Sequence, residues 1–253
     1  MKNKINPIVK NFLTFILMLV VFSTFAMAQN NEQQMSKSNL KIFVQYNLAK
    51  NHLLTNDNIK VDVVGNQIIL TGSVPTLHAK NQAEIEAHSV DESYTIINNI
   101  KVETPTLSDM DINDQVSKKI QSNLFYGVYD WVTVSTKNGV VTLDGWVHLP
   151  WLKSQFQTEA EKVAGVKGVD NKIQPTFGPG DIGVRAARLI YNDPMFEGMQ
   201  YFANPPIHII VNNGTVILEG TVNSEAQSGW AENLVRYRTD AFTVENHLQV
   251  KAN

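Results

Sequence analysis

The sequence predicts an α+β protein. It reads as three tandem small αββαβ two-layer sandwiches, each a three-stranded sheet covered by two helices on one face. A glycine-marked stretch that recurs three times is the first reason. Its copies are Gly65-Asn66-Gln67-Ile68-Ile69-Leu70-Thr71-Gly72, Asn138-Gly139-Val140-Val141-Thr142-Leu143-Asp144-Gly145 and Asn213-Gly214-Thr215-Val216-Ile217-Leu218-Glu219-Gly220, whose closing glycines lie 73 and 75 residues apart. Such spacing marks an array of small units, which outranks any domain count taken from a length of 253 residues. The second reason is apolar alternation on both sides of each turn, the period of a half-buried strand. The third is apolar spacing by three and four before and after each strand pair, the period of an amphipathic helix.

In chain order, residues 1–28 read as a signal peptide. Lys2, Lys4 and Lys10 precede an apolar run from Phe12 to Phe25, and Ala26-Met27-Ala28 offers small residues for cleavage after Ala28. The run falls short of the roughly 20 residues that span a bilayer. Residues 29–37 are a polar, flexible leader. Unit one covers 38–103: a helix over roughly 38–53 from Leu40, Phe43, Val44, Leu48 and Leu53-Leu54, a strand with Ile59, Val61 and Val63, the Gly65-Asn66 turn, a strand with Ile68, Leu70 and Val74, a helix over 79–90, and a strand with Ile96, Asn98, Ile100 and Val102. A linker follows over 104–110.

Unit two covers 111–175. Ile112, Val116, Ile120 and Leu124 mark one helical face, and Val132 and Val134 begin a strand. Asn138-Gly139 is a strong hairpin signal, because both central residues of a type I′ turn need positive φ. Val141, Leu143 and Val147 face the core, a helix covers 151–164, and a strand over 166–174 closes the unit. After the linker 176–180, unit three covers 181–251. It shows a helix around Ala186, Leu189 and Ile190, strands on both sides of Asn213-Gly214, a helix over 226–235, and a strand with Val244, Asn246, Leu248 and Val250. Because the strands alternate, one sheet face is expected to lie under the helices and the other in solvent.

Composition narrows the function. With 43% hydrophobic and 18% charged residues the chain has the material for packed cores. Cleavage after Ala28 leaves 18 basic against 24 acidic residues, a net charge of −6. That balance argues against a nucleic-acid partner and against a purely electrostatic hold on anionic lipid. With no cysteine there are neither disulfides nor thiolate chemistry. Catalytic signatures are missing as well. The six histidines are scattered, and no nucleophile elbow, zinc-binding helix or phosphate loop is present. The chain is therefore expected to be no enzyme and to use no cofactor or metal.

The order helix, alternating strand, Asn-Gly, Val-x-Leu-x-Gly-x-Val, helix, Val-x-Asn-x-Leu resembles the BON domain family. Asn138, Gly139, Val141, Leu143, Gly145, Val147, Val169 and Asn171 carry it best, and Val216, Leu218, Gly220, Val244, Asn246 and Leu248 repeat it. The resemblance implies a non-enzymatic periplasmic protein that attaches to phospholipid membranes in an envelope or osmotic stress role. Free sheet edges that can accept strands support the alternative, a periplasmic protein-interaction or chaperone-like factor, so the expected partners are a phospholipid membrane or envelope proteins. Two departures stand out. Gly145 to Ala160 spans 15 residues where Gly72 to Ala83 and Gly220 to Ala231 span 11, which predicts that the second helix of unit two begins one turn early. Unit three also carries about five extra residues around Phe196–Pro206.

Several side chains invite a functional reading. Trp146, His148, Leu149, Trp151 and Leu152 cluster after the unit-two hairpin, and Trp131 precedes its first strand. Amphipathic aromatics suit a membrane interface or a protein contact, and equally the packing of one unit on the next. Gly72, Gly145 and Gly220 are expected where strand and helix backbones approach closely. Asn98, Asn171 and Asn246 are expected to satisfy nearby backbone groups. Both sets are repeat markers, not ligand sites.

Overall fold

The computed structural model describes residues 36–54, 58–103, 105, 107–202 and 204–251. The targeting segment and residues 29–35 of the leader lie outside the described residues.

Unit one begins with α1 (Lys37–Lys50), whose first turn is capped by the Ser36 hydroxyl accepting from the Asn39 amide. Strands β1 (Lys60–Val64) and β2 (Gln67–Val74) form the hairpin, α2 (Leu77–His88) follows, and β3 (Thr95–Val102) closes the unit. Here β2 is central, antiparallel to β1 and parallel to β3. The parallel pairing demands a crossover, and α2 supplies it. Leu40, Val44 and Leu48 of α1 and Ala79, Ala83 and Ala87 of α2 lie over Ile68, Leu70, Val74 and Ile100. Three alanines in one stripe let α2 lie close to the sheet.

Unit two repeats this with α3 (Asp109–Gln121), β4 (Trp131–Lys137), β5 (Val140–Val147), α4 (Trp151–Glu161), β6 (Gly168–Asn171) and β7 (Gln174–Pro175). A capping box starts α3, with the Ser108 hydroxyl on the Asp111 amide and the Asp111 carboxylate returning to Ser108. Asp109 reaches across the unit. Its two carboxylate oxygens accept from the amides of Asn138 (2.7 Å) and Gly139 (2.8 Å), which pins the hairpin turn to the start of the helix. Both turn residues have positive φ, as do Asn213 and Gly214 in unit three.

Unit three consists of α5 (Gly180–Tyr191), β8 (Ile207–Asn212), β9 (Thr215–Val222), α6 (Glu225–Arg238), β10 (Thr243–Asn246) and β11 (Gln249–Val250). The extra residues before β8 fold into two short 3-10 turns, Pro194–Phe196 and Met199–Tyr201, and send Phe196 and Met199 into the core.

Three expectations need correction. The second helix of unit two does not begin a turn early. The α2, α4 and α6 helices start at Leu77, Trp151 and Glu225, five, six and five residues after their glycines. Ala160 matches Ala87, not Ala83, and the position of Ala83 and Ala231 is taken by Phe156, fully buried beneath α4. The closing strands expected over 166–174 and 244–250 are each split in two. At each break the asparagine carbonyl takes the amide two residues on, Ile173 or Leu248, and the residue between stays on the central strand, Lys172 to Leu143 O and His247 to Leu218 O. Finally, the outer sheet face is not everywhere in solvent. In unit three His208, Ile210 and Ile217 are buried although they face away from the helices.

The units touch in sequence. Between units one and two, α2 lies beside α4, Leu77 packs against the unit-two core, and His78 Nδ1 approaches Glu161 Oε2 at 4.0 Å.

Candidate functional site

The six residues singled out around the unit-two hairpin separate into four environments. Leu152 is 0% exposed in the core of unit two, which removes it as a contact. Leu149 is half-buried against the same core. Trp131 and Trp146 stand opposite each other across β4 and β5 on the outer sheet face, so Trp146 points away from the core as its parity requires. Trp131 is not free there: its ring lies 5.0 Å from the His208 ring of unit three. Trp151 alone of the six keeps a large exposed apolar surface, 45% of the residue.

Trp151 opens α4 and meets Phe125 edge-to-face, ring centroids 5.0 Å apart. Phe125 and its neighbour Leu124 are 54% and 96% exposed. They sit on the loop from α3 to β4, and the loop is rigidly made. Asn123 Oδ1 accepts from the Phe125 amide at 2.9 Å, and the Asn123 carbonyl accepts from the Tyr126 amide at 3.0 Å. The spacing from Ile112, Val116 and Ile120 predicts Leu124 as the last residue of a helical apolar face. The helix ends at Gln121, so Leu124 turns outward and not into the core. Leu124, Phe125 and Trp151 thus form one exposed apolar group held on an ordered backbone.

The other half of the same loop is buried. Tyr126 packs on Phe156 and its hydroxyl accepts from the Val132 amide. Burial pushes the phenol well above its ordinary range. Asp130 is 0% exposed and its carboxylate is fully engaged. It accepts from the amides of Gly127 (2.9 Å) and His148 (2.8 Å), and His148 Nδ1 lies 2.9 and 3.0 Å from its two oxygens. A carboxylate can only accept, so Nδ1 carries the hydrogen. His148 is therefore a structural clamp on a buried acid, and His78, its counterpart after the unit-one glycine, faces Glu161 instead. His148 meets its acid within unit two and His78 meets its acid across the joint between units one and two, so the two do not converge. Among the described residues no group of three or more His, Asp or Glu side chains is placed to hold a metal ion.

The repeat markers have explicit jobs. Asn98 Nδ2 donates to the Lys80 carbonyl and to Glu84; Asn171 Nδ2 donates to the Lys153 carbonyl and Gln157; Asn246 Nδ2 donates to Ser228 and Glu232. Each also accepts from the amide two residues on. One amide therefore ties the last strand to the second helix in all three units. Gly72, Gly145 and Gly220 have φ of +129°, +122° and +113°. A Cβ there would lie 2.2, 2.0 and 2.1 Å from the carbonyl oxygens of Asn58, Trp131 and Pro206. The close approach is therefore to the backbone at or just before the start of the neighbouring edge strand, not to a helix as the sequence suggests.

A second exposed apolar group lies on α1. Ile42 and Tyr46 project on the side opposite Leu40, Val44 and Leu48, and Phe43, whose spacing places it with the apolar face, lies at the margin of that face and is half exposed. Apolar residues on both faces blur the helical period, which hides the outer group from a sequence reading. Among the described residues no helix is long and apolar enough to cross a membrane.

A family model described as "BON domain" matches residues 38–104, 108–175 and 196–252. No curated protein matches the chain. Among solved structures, the chain is similar to the C-terminal domain of CdsD, a structural protein of the type III secretion system of Chlamydia trachomatis. That match has 11% identity, covers 86% of this chain and 100% of the other, and has a TM-score of 0.24. A second CdsD structure matches at 11% identity over 83% of this chain and 91% of the other, again with a TM-score of 0.24. Likeness at that level bears on neither fold nor role.

Proposed function

The chain belongs to the BON domain family, and from that premise we propose that it is an exported protein of the cell envelope that attaches to phospholipid surfaces through Leu124, Phe125 and Trp151. BON domains are non-catalytic and are associated in general with phospholipid membranes, here in three tandem copies. The basic and apolar leader ending at Ala28 supports export to the periplasm, with the mature chain beginning at Gln29. An envelope or osmotic stress role accords with that location.

The exposed Phe125–Trp151 pair with Leu124 beside it is the observation that carries the attachment surface. Tryptophan is enriched at bilayer interfaces, and phenylalanine and leucine join it on the inserted face of interfacial segments. The net charge of −6 disfavours adhesion by charge, so insertion of apolar side chains is the mode left to this surface. The loop needs no ordering on contact, since Asn123 already fixes it.

Co-sedimentation with vesicles of phosphatidylcholine, alone and with phosphatidylglycerol, tests this. The mature chain should partition onto both, with a blue shift of tryptophan emission. Replacing Phe125 and Trp151 together with alanine should weaken partitioning by about tenfold or more, given about 1.5–3 kcal/mol for each fully buried large apolar side chain. Phe177→Ala, at an exposed position in the second linker, should change nothing. Binding to neither vesicle would remove the membrane reading. Binding that survives the double substitution would keep that reading and remove this surface.

A further inference from the structure

We propose that the joint between units two and three is a proton-sensitive clasp, closed at neutral pH and released on acidification. The loop from Asn123 to Asp130 of unit two lies against the outer face of β8. The Ile209 amide donates to the Val128 carbonyl at 2.7 Å, so the loop adds one ladder bond to the sheet of unit three. Next to it His208 is 2% exposed, with Nδ1 3.1 Å from the Gly127 carbonyl, 81 residues upstream. Its ring is enclosed by Tyr126 and Trp131, at centroid distances of 5.7 and 5.0 Å. A carbonyl can only accept, so neutral His208 must hold its hydrogen on Nδ1 to make this contact.

The groups around His208 decide what a second proton would do. Asp130 faces it from the loop, but that carboxylate already accepts from Gly127, His148 and the His148 ring. Glu219, its partner across β9, is held at 2.8 Å by His247. Tyr126 is neutral, and Tyr129, 6.2 Å from the His148 ring, has its phenol pushed up by burial and eased down by Arg188. Both nearby acids are thus already hydrogen-bonded to other histidines, and neither makes a direct ion pair with the His208 ring.

Burial holds His208 below its ordinary value of 6.5, outweighing the Gly127 and Asp130 carbonyls and the Asp130 carboxylate, which favour the charged form. The open joint therefore takes up the proton more readily than the closed one. Docking is at full strength above 6.5 and weakens as pH falls below it. Units two and three should then separate about the 176–180 linker while each remains folded.

Small-angle scattering and amide exchange on the full mature chain test this. Between about pH 7.5 and about pH 5 the wild-type radius of gyration should rise, and protection of the Ile209 amide, corrected for intrinsic exchange, should fall by about tenfold or more. His208→Gln, which cannot take up the charge, should stay compact across that range, while His78→Gln should still expand. The proton-linked midpoint of the His208 ring in wild type, read by NMR, should coincide with the expansion, and this comparison holds even if His208→Gln fails to dock. No expansion, expansion that His208→Gln leaves intact or that His78→Gln abolishes, or a His208 midpoint displaced from the transition would each overturn the proposal.

Discussion

Replacing Gly145 with alanine should unfold unit two or bring it to the edge of stability. The backbone there has φ +122° and a Cβ would sit 2.0 Å from the Trp131 carbonyl oxygen. Ordinary contact begins near 3.4 Å, so the start of β4 would have to retreat by about 1.4 Å. That retreat opens the ladder where Trp131 faces Trp146 and Val132 faces Gly145. Forcing a side chain into positive φ costs about 1–2 kcal/mol. Overpacking against a fixed neighbour adds about 1–3 kcal/mol, and together they give about 2–5 kcal/mol. A unit of this size has roughly 3–10 kcal/mol in total, so the loss is a large share. Gly178→Ala separates the two contributions, because residue 178 has φ +86° with nothing within 4 Å of a Cβ. It should cost only the backbone share, about 1–2 kcal/mol. Urea denaturation followed by tryptophan emission is a suitable assay, since Trp131, Trp146 and Trp151, three of the four tryptophans, belong to unit two. If Gly145→Ala lost no more stability than Gly178→Ala, the collision argument would be wrong.

Three other outcomes follow from the same geometry. Asn171→Ala removes the bonds to Lys153 and Gln157 and leaves the amide of fully buried Ile173 without its side-chain acceptor, a loss of about 2–4 kcal/mol by urea denaturation. Phe156→Ala should cost about 3–5 kcal/mol, whereas Ala231→Phe should destabilise unit three by about 1–3 kcal/mol, because its core was built around the small residue; calorimetry of both variants checks the register. His78 is held below its ordinary value of 6.5 by burial and by Lys162, against the pull of Glu161 and Glu159. Its contribution is therefore present above 6.5 and fades as pH falls below it, and a wild-type urea midpoint no more pH-dependent than that of His78→Gln would refute this.

Much of the fold was legible because its signals are local. Asn138-Gly139 and Asn213-Gly214 announce their turns through the positive φ they permit, and the structure gives φ of 53°, 79°, 49° and 81°. Gly72, Gly145 and Gly220 were visible as markers, but their reason was not. The atom they avoid lies at or just before the start of the neighbouring strand, and no local pattern reports a contact across a ladder. The displaced helix of unit two came from matching Ala160 to Ala83. The closing asparagines hold the true register, since each bonds the carbonyl 18 residues before it, in all three units. The contact candidates were half legible for a similar reason. Trp151 could be seen, but Leu124 and Phe125 were hidden because the helix stops three residues before the apolar period does. His208 occupies an outward position on its strand, where a polar residue needs no explanation, and what encloses it lies in another unit.

The bond from Ile209 to Val128 also bears on where this chain can be divided. Each repeat has its own core, which suggests three interchangeable parts. Yet a fragment that begins at the second linker would carry His208 uncovered and one strand edge unpaired. A fragment that ends there would leave Trp131 without its neighbour across the joint. Among the described residues the first repeat meets the second where α2 lies beside α4, with Leu77 and His78 at the contact, so it can be removed at the price of a far smaller scar. In duplication, in proteolysis and in the making of truncated proteins, the natural pieces are thus one single and one pair.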